Sequence, residues 1–222
     1  ALPILGFEWS VDARHTRIEE VLKSLPKVTL EDSMKLQTDL VSVIARRMVK
    51  LLAGLKSENP GTRAALEMLQ GWDAAETVDS RQAALFEVWW KRHLGPAFLK
   101  AVLPEAAAGA VATPDAAVMV DALEGKSVRF QVRDVAALLL KTLGAGYGEW
   151  EKLGRPEWGN LHQSLPGHPL RNYVNAELKA KLQPGPFPAP GGPYSPRQSM
   201  YTGNSFLLTN GPSYRMVLDV GN

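Results

Sequence analysis

The spacing of apolar residues changes near residue 154, and this limits the folds open to the chain more than any other feature. Before that point apolar residues recur every three or four positions, the spacing of one helix face. After it proline, glycine and tryptophan become frequent and the helical spacing is lost. The run Pro184-Gly185-Pro186-Phe187-Pro188-Ala189-Pro190-Gly191-Gly192-Pro193 cannot be regular helix or a central strand, because proline lacks the N–H and fixes φ. It reads as an extended arm laid on a surface. Beyond it the period falls to two. Ser205 to Thr209, the turn Asn210-Gly211-Pro212-Ser213, and Tyr214 to Val220 read as a β-hairpin. The expectation is an α+β chain with a mainly helical block over 1–153, an irregular arm over 154–195 and C-terminal strands over 196–222. A lone hairpin is marginal in water, so these strands should join a larger sheet.

Within the block, residues 1–8 read as a strand that Pro3 demotes to an edge or to irregular structure. Asp12 is the candidate N-cap of a helix over 12–24, with Ile18, Val21, Leu22 and Leu25 on one face and Pro26 as the stop. Thr29-Leu30-Glu31-Asp32 is a capping signal. The stripe Leu36, Leu40, Ile44, Met48, Leu51, Leu55 predicts one helix from there to about Leu55. Asn59-Pro60-Gly61 is read as a turn and Thr62 to Trp72 as a helix. Ser80 caps a longer helix ending at Gly95-Pro96, and Glu105 to Thr113 reads as a loop or frayed helix end. Thr113-Pro114 starts a helix over 114–124, and another covers 133–153.

The 222 residues carry a net charge of +2, with arginine and lysine scattered, which argues against a nucleic-acid partner. With no cysteine, disulfides, thiolate metal sites and a cysteine nucleophile are excluded. No apolar run is long enough to span a bilayer, and the first six residues lack the basic flank of a signal peptide.

Chemical motifs are sparse. There is no His-Glu-x-x-His pattern and no Gly-x-Ser-x-Gly elbow. Gly144-Ala145-Gly146-Tyr147-Gly148 lies in a helical run and follows no strand, so it is not read as a dinucleotide loop. Of His15, His93, His162 and His168, the last two share one segment and are read as imidazoles bonded to loop backbone. Trp72, Trp89 and Trp90 are read as core aromatics. Arg14 and Arg17 share a helix face near its N-terminus, where a cation opposes the helix dipole. By spacing alone they form salt bridges with Glu8, Glu19 or Glu20.

Six segments, in order, resemble the penicillin amidase (penicillin acylase) family. They are Trp9 to Ile18; Leu36-Gln37-Thr38-Asp39 with Ala45-Arg46-Arg47; Leu69-Gln70-Gly71-Trp72-Asp73; Phe86-Glu87-Val88-Trp89; Trp158-Gly159-Asn160-Leu161-His162 with His168-Pro169-Leu170; and Gly211 to Asp219. The resemblance implies an N-terminal nucleophile hydrolase with an αββα sandwich, made as one precursor and cut into two subunits. A serine at the head of the large subunit attacks an amide carbonyl, with its own α-amino group as base. Substrates would be acylated amines, such as β-lactam side-chain amides or acyl-homoserine lactones, and the location periplasmic or secreted. Arg14 matches the family's arginine that supports the reacting centre. Ala1 cannot be the nucleophile, and the oxyanion asparagine would lie upstream. One ligand of the family's calcium would fall near Pro3, which offers no carboxylate. No cofactor is therefore expected in this chain, although the whole enzyme could hold calcium. The chain is expected to be a C-terminal segment of the large subunit, inactive alone and partnered by the acylase segments that carry the serine. The alternative is a non-catalytic helical scaffold whose strands pair with a partner.

Overall fold

The computed structural model describes residues 11–202, 205–212, 214–219 and 221. The predicted strand over 1–8, Glu8 and the start of the Trp9 segment lie outside the described residues. The chain is α+β, with helices predominating and a few short antiparallel strands. Among the described residues no helix is long and apolar enough to cross a membrane.

Capping side chains set most helix starts. Helix α1 (Ala13–Ser24) follows Asp12, whose carbonyl rather than its carboxylate makes the first bond, from Thr16 N–H at 2.8 Å. Helix α2 (Leu30–Gln37) opens with the expected capping box between Thr29 and Asp32. The single helix expected from there to Leu55 is instead two. The chain breaks over 38–42, and α3 (Val43–Leu52) restarts with Ser42 as its cap. The stripe gave no warning because the break is made by distant partners. Leu40 C=O accepts from Glu76 N–H and Ser42 N–H donates to Ala74, replacing the helical bonds lost there.

Helix α4 (Pro60–Gln70) begins within the expected turn, with Asn59 as its cap and Pro60 at the first helical position. Helix α5 (Arg81–Val88) is capped by Ser80 as expected, but Gly95-Pro96 does not end the rod. A π-helical turn over Trp89–Leu94 carries it into α6 (Gly95–Val102). The wider turn accommodates Pro96, whose missing N–H would interrupt a regular α-helix. After α7 (Glu105–Ala108), helix α8 (Ala116–Leu123) is capped by Asp115 rather than opened by Pro114. Helix α9 (Val135–Lys152) is capped by Asp134.

The region after 154 is less irregular than its composition suggests. It contains α10 (Trp158–Leu161), a 3₁₀ turn over Pro169–Asn172 and α11 (Ala176–Leu182). Strands β1 (Gln163–Ser164) and β2 (Phe187–Pro188) pair antiparallel. Strands β3 (Met200–Tyr201) and β4 (Leu208–Asn210) pair likewise. This corrects the expected hairpin. β4 turns back onto β3, and 214–219 form no strand; Ser213 and Val220 lie outside the described residues. The 214–219 segment instead lies over α2 and the loop before β3, through Gln37 Nε2 to Met216 C=O at 2.8 Å and Arg215 Nη2 to Arg197 C=O at 2.6 Å.

The core forms where α9 crosses α4 and the π turn. Trp89, Trp158, Phe86 and Phe98 are fully buried in or beside it. Gly146 of α9 lies against Trp89: a Cβ there would stand 2.8 Å from the Trp89 Cβ and 2.9 Å from its Cα. The glycine-rich run is thus a helix-crossing surface. By contrast α1 buries only Ala13, and its expected apolar face leaves Ile18 and Leu22 exposed.

Arg47 ties α3 to α8. Its guanidinium meets Glu124 at 2.7 and 2.9 Å and Asp121 at 2.5 Å. Hydrogen bonds from Arg47 hold the half-buried Glu124 carboxyl down to about 2. Arg47→Ala is expected to cost about 2 kcal/mol at pH 7, between an exposed and a fully buried pair. A depressed carboxylate stabilises above its unfolded pKa and loses that contribution as pH falls through the folded value. In urea titrations the gap between wild type and variant should hold above about pH 5 and narrow toward about pH 2. A gap independent of pH would remove Glu124 from the account.

Candidate functional site

A cleft of about 380 Å³ opens at the N-terminal end of α1, between the π turn, the 113–116 segment and the arm. Its wall is mixed. Trp90, Met119 and Pro193 supply apolar surface, Arg14 and Lys91 supply cations, and Asp115 and Tyr194 supply polar groups.

The two arginines of α1 have separate fates. Arg17 is engaged: its Nη2 meets Asp39 at 2.7 Å, its Nε reaches both carboxylate oxygens at 3.1 and 3.2 Å, and Glu20 lies 3.8 Å away. Asp39, absent from the expected partner list, is the main acceptor because the 38–42 break turns it toward α1. Arg14, one turn earlier, lines the cleft, is exposed, and has no hydrogen bond or ion pair among the described residues. Asp115 lines the same cleft but is committed elsewhere. Its carboxylate caps α8 through Ala117 N–H at 2.9 Å and accepts from Val11 N–H at 3.3 Å.

The floor of the cleft rests on a buried carboxyl pair. Tyr201 lines the cleft, and its hydroxyl donates to Oε2 of Glu87. Glu87 and Glu76 are both fully buried. Burial, then the Glu87 charge, drives Glu76 well above the usual carboxylate range; burial also raises Glu87, and the Tyr201 hydrogen bond opposes that. Burial and the charge of Glu87 push Tyr194 above its ordinary value. The sequence reading missed this pair. Its one visible signal was a carboxylate at 87 inside the apolar run 83–90; Glu76, in a loop, gave none.

The histidines are dispersed. His162 is buried, stacked on Trp158 with ring centroids 4.7 Å apart, and its Nδ1 lies 2.6 Å from Phe206 C=O. A carbonyl only accepts, so Nδ1 carries the proton, and burial lowers the pKa of the ring. His168 accepts from Leu170 N–H at 3.1 Å, and His93 meets Glu149 at 2.7 Å. His162 and His168 therefore bond loop backbone, as expected. Among the described residues no three His, Asp or Glu side chains converge to hold a metal ion.

Trp72, Trp89 and Trp90 are core residues as read, with Trp90 also forming one wall of the cleft. A family model described as penicillin amidase matches residues 2–222. No curated protein matches the chain.

Proposed function

The chain belongs to the penicillin amidase family, an acylase-type family, and on that footing we propose that it works within an acylase that hydrolyses a linear amide. The amide would be an acylated amine, such as a β-lactam side chain or an acyl-homoserine lactone. The attacking serine belongs to a further segment of the large subunit, with which this chain assembles into the αββα sandwich. The chain contributes the helical wall beside the reacting centre and a periplasmic or secreted enzyme results.

The observation that carries this reading is Arg14. It lies in the wall of a mixed cleft with no described partner, while Arg17 on the same face is fully paired. A guanidinium presents a rigid fork of donors, suited to orienting an amide or carbonyl group beside a nucleophile. Its role is positional, since its proton is not available for acid–base work near neutral pH. Residues 214–219 lie on the surface of α2 and would join the larger sheet on assembly.

Two measurements test the reading. The purified chain alone should not hydrolyse a chromogenic phenylacetyl or fatty-acyl anilide; turnover above the uncatalysed rate overturns the division of labour. In the assembled enzyme, Arg14→Ala should lower kcat/KM about tenfold, chiefly in kcat, whereas Arg17→Ala should mainly lower stability. Equal activity of Arg14→Ala and wild type would remove Arg14 from the site. A monomeric chain that unfolds cooperatively and keeps no exposed apolar face would favour the scaffold reading.

A further inference from the structure

The closed pair beneath the cleft has a consequence independent of the acylase reading. Glu76 lies on the loop between α4 and α5, and Glu87 on α5. Around them stand Ser42 at the head of α3, Ser195, Gly192 and Tyr194 of the arm, Tyr201 of β3 and Lys91 of the π turn. His162 lies beyond Tyr201, with ring centroids 6.1 Å apart. Among the described residues Lys91 is the cation that acts on Glu87, and none acts on Glu76. Among the described residues both Glu76 oxygens and Oε1 of Glu87 lack a well-formed hydrogen bond, although the two carboxyls approach each other and the Ser195 and Ser42 hydroxyls approach Glu76.

Two carboxylates cannot both stay charged in such a space. Tyr201 donates to Glu87, which marks Glu87 as the acceptor and leaves the retained proton with Glu76. The arm is built around that carboxyl. Gly191 N–H donates to the Glu76 carbonyl at 2.7 Å, and Ser199 N–H to Gly192 C=O at 3.0 Å. A Cβ on residue 192 would stand 2.5 Å from Glu76 Oε2, so any larger residue would force the buried carboxyl or the arm to shift. A second negative charge on the buried Glu76 carboxyl calls for water, which the seated arm keeps away from it.

We propose that Glu76 and Glu87 form a proton-holding latch, in which the retained proton keeps the arm over 189–201 seated beneath the cleft and its loss as pH rises releases the arm. The direction follows from linkage. A group held protonated by the fold binds its proton more tightly there than in the unfolded chain. Its stabilisation is complete below the ordinary glutamate value and is lost as pH rises through the folded value.

The test compares wild type with Glu76→Gln, which keeps the shape and cannot ionise. The wild-type unfolding constant should rise with pH above about 5, by up to about tenfold per unit for one linked proton, and the variant should lack that component. Amide exchange at Gly191 and Ser199, corrected for its intrinsic pH dependence, should accelerate in wild type alone. Should the variant fail to fold, carbon-13 carboxyl shifts of wild type decide: one protonated carboxyl in the pair at pH 7 supports the latch, and two carboxylates overturn it. An unchanged pH slope in Glu76→Gln also overturns it. So does a stoichiometric divalent cation in the purified protein that Glu76→Gln loses, since the pair would then be ionised ligands.

Discussion

Trp89→Ala is expected to lower stability by about 4 kcal/mol, the range for emptying a fully buried aromatic site. Trp89 is wholly buried, and its ring meets Phe86 edge-on at a centroid separation of 6.0 Å. Its Nε1–H donates to Thr142 Oγ1 at 3.0 Å, joining the π turn to α9. Gly146 presses on its Cα and Cβ, so α9 could fill the void only by moving as a rod. For a chain of this length the melting temperature should fall by roughly 8–16 °C. Trp89→Phe, which keeps most of the volume, should lose about half as much or less. If Trp89→Ala unfolds within about 1 kcal/mol of wild type, the crossing of α9 on the π turn is not the centre of the core.

The second large effect comes from the other side of that contact. Gly146→Val should cost about 3 kcal/mol, because the nearest atoms include the backbone of Trp89 and cannot rotate away. The control is Gly148→Ala, two residues along the same helix. A Cβ at 148 meets nothing within 4 Å, so only helix propensity acts and stability should rise by up to about 1 kcal/mol. Opposite signs for the two substitutions in one denaturant series support the crossing; a loss at both positions would mean that α9 tolerates no added bulk for reasons unrelated to Trp89.

Local chemistry was legible in the sequence. Thr29 with Asp32, and Ser80, were read as caps and act as caps, because a cap is decided within four residues. The buried tryptophans and the backbone-bonded histidines followed from residue type. What the sequence concealed depends on partners far along the chain. The break over 38–42 is held by Ala74 and Glu76, and the partner of β4 is 200–201 rather than the segment after Gly211. Neither has a periodic signature, since strand pairing is chosen by tertiary context. The site shows the same division. Arg14 was singled out from its motif, but the separation of Arg14 from Arg17 required Asp39, and the Glu76–Glu87 pair required a loop and a helix to meet.

The π turn between α5 and α6 bears on how this rod can change over time. A helix of constant pitch shows one stripe to its surroundings along its whole length. Slowing the winding over Trp89–Leu94 resets the phase, so the rod sets Trp89 against α9 while Phe98, farther on, meets Phe130 edge-on at 6.1 Å. Losing one residue from that turn would restore the uniform pitch and swing Phe98 and Leu99 off their azimuth. Point substitutions on the outer face of the rod leave the phase intact. Single-residue deletions there do not, so this segment must keep its length as well as its buried residues Trp89 and Leu94.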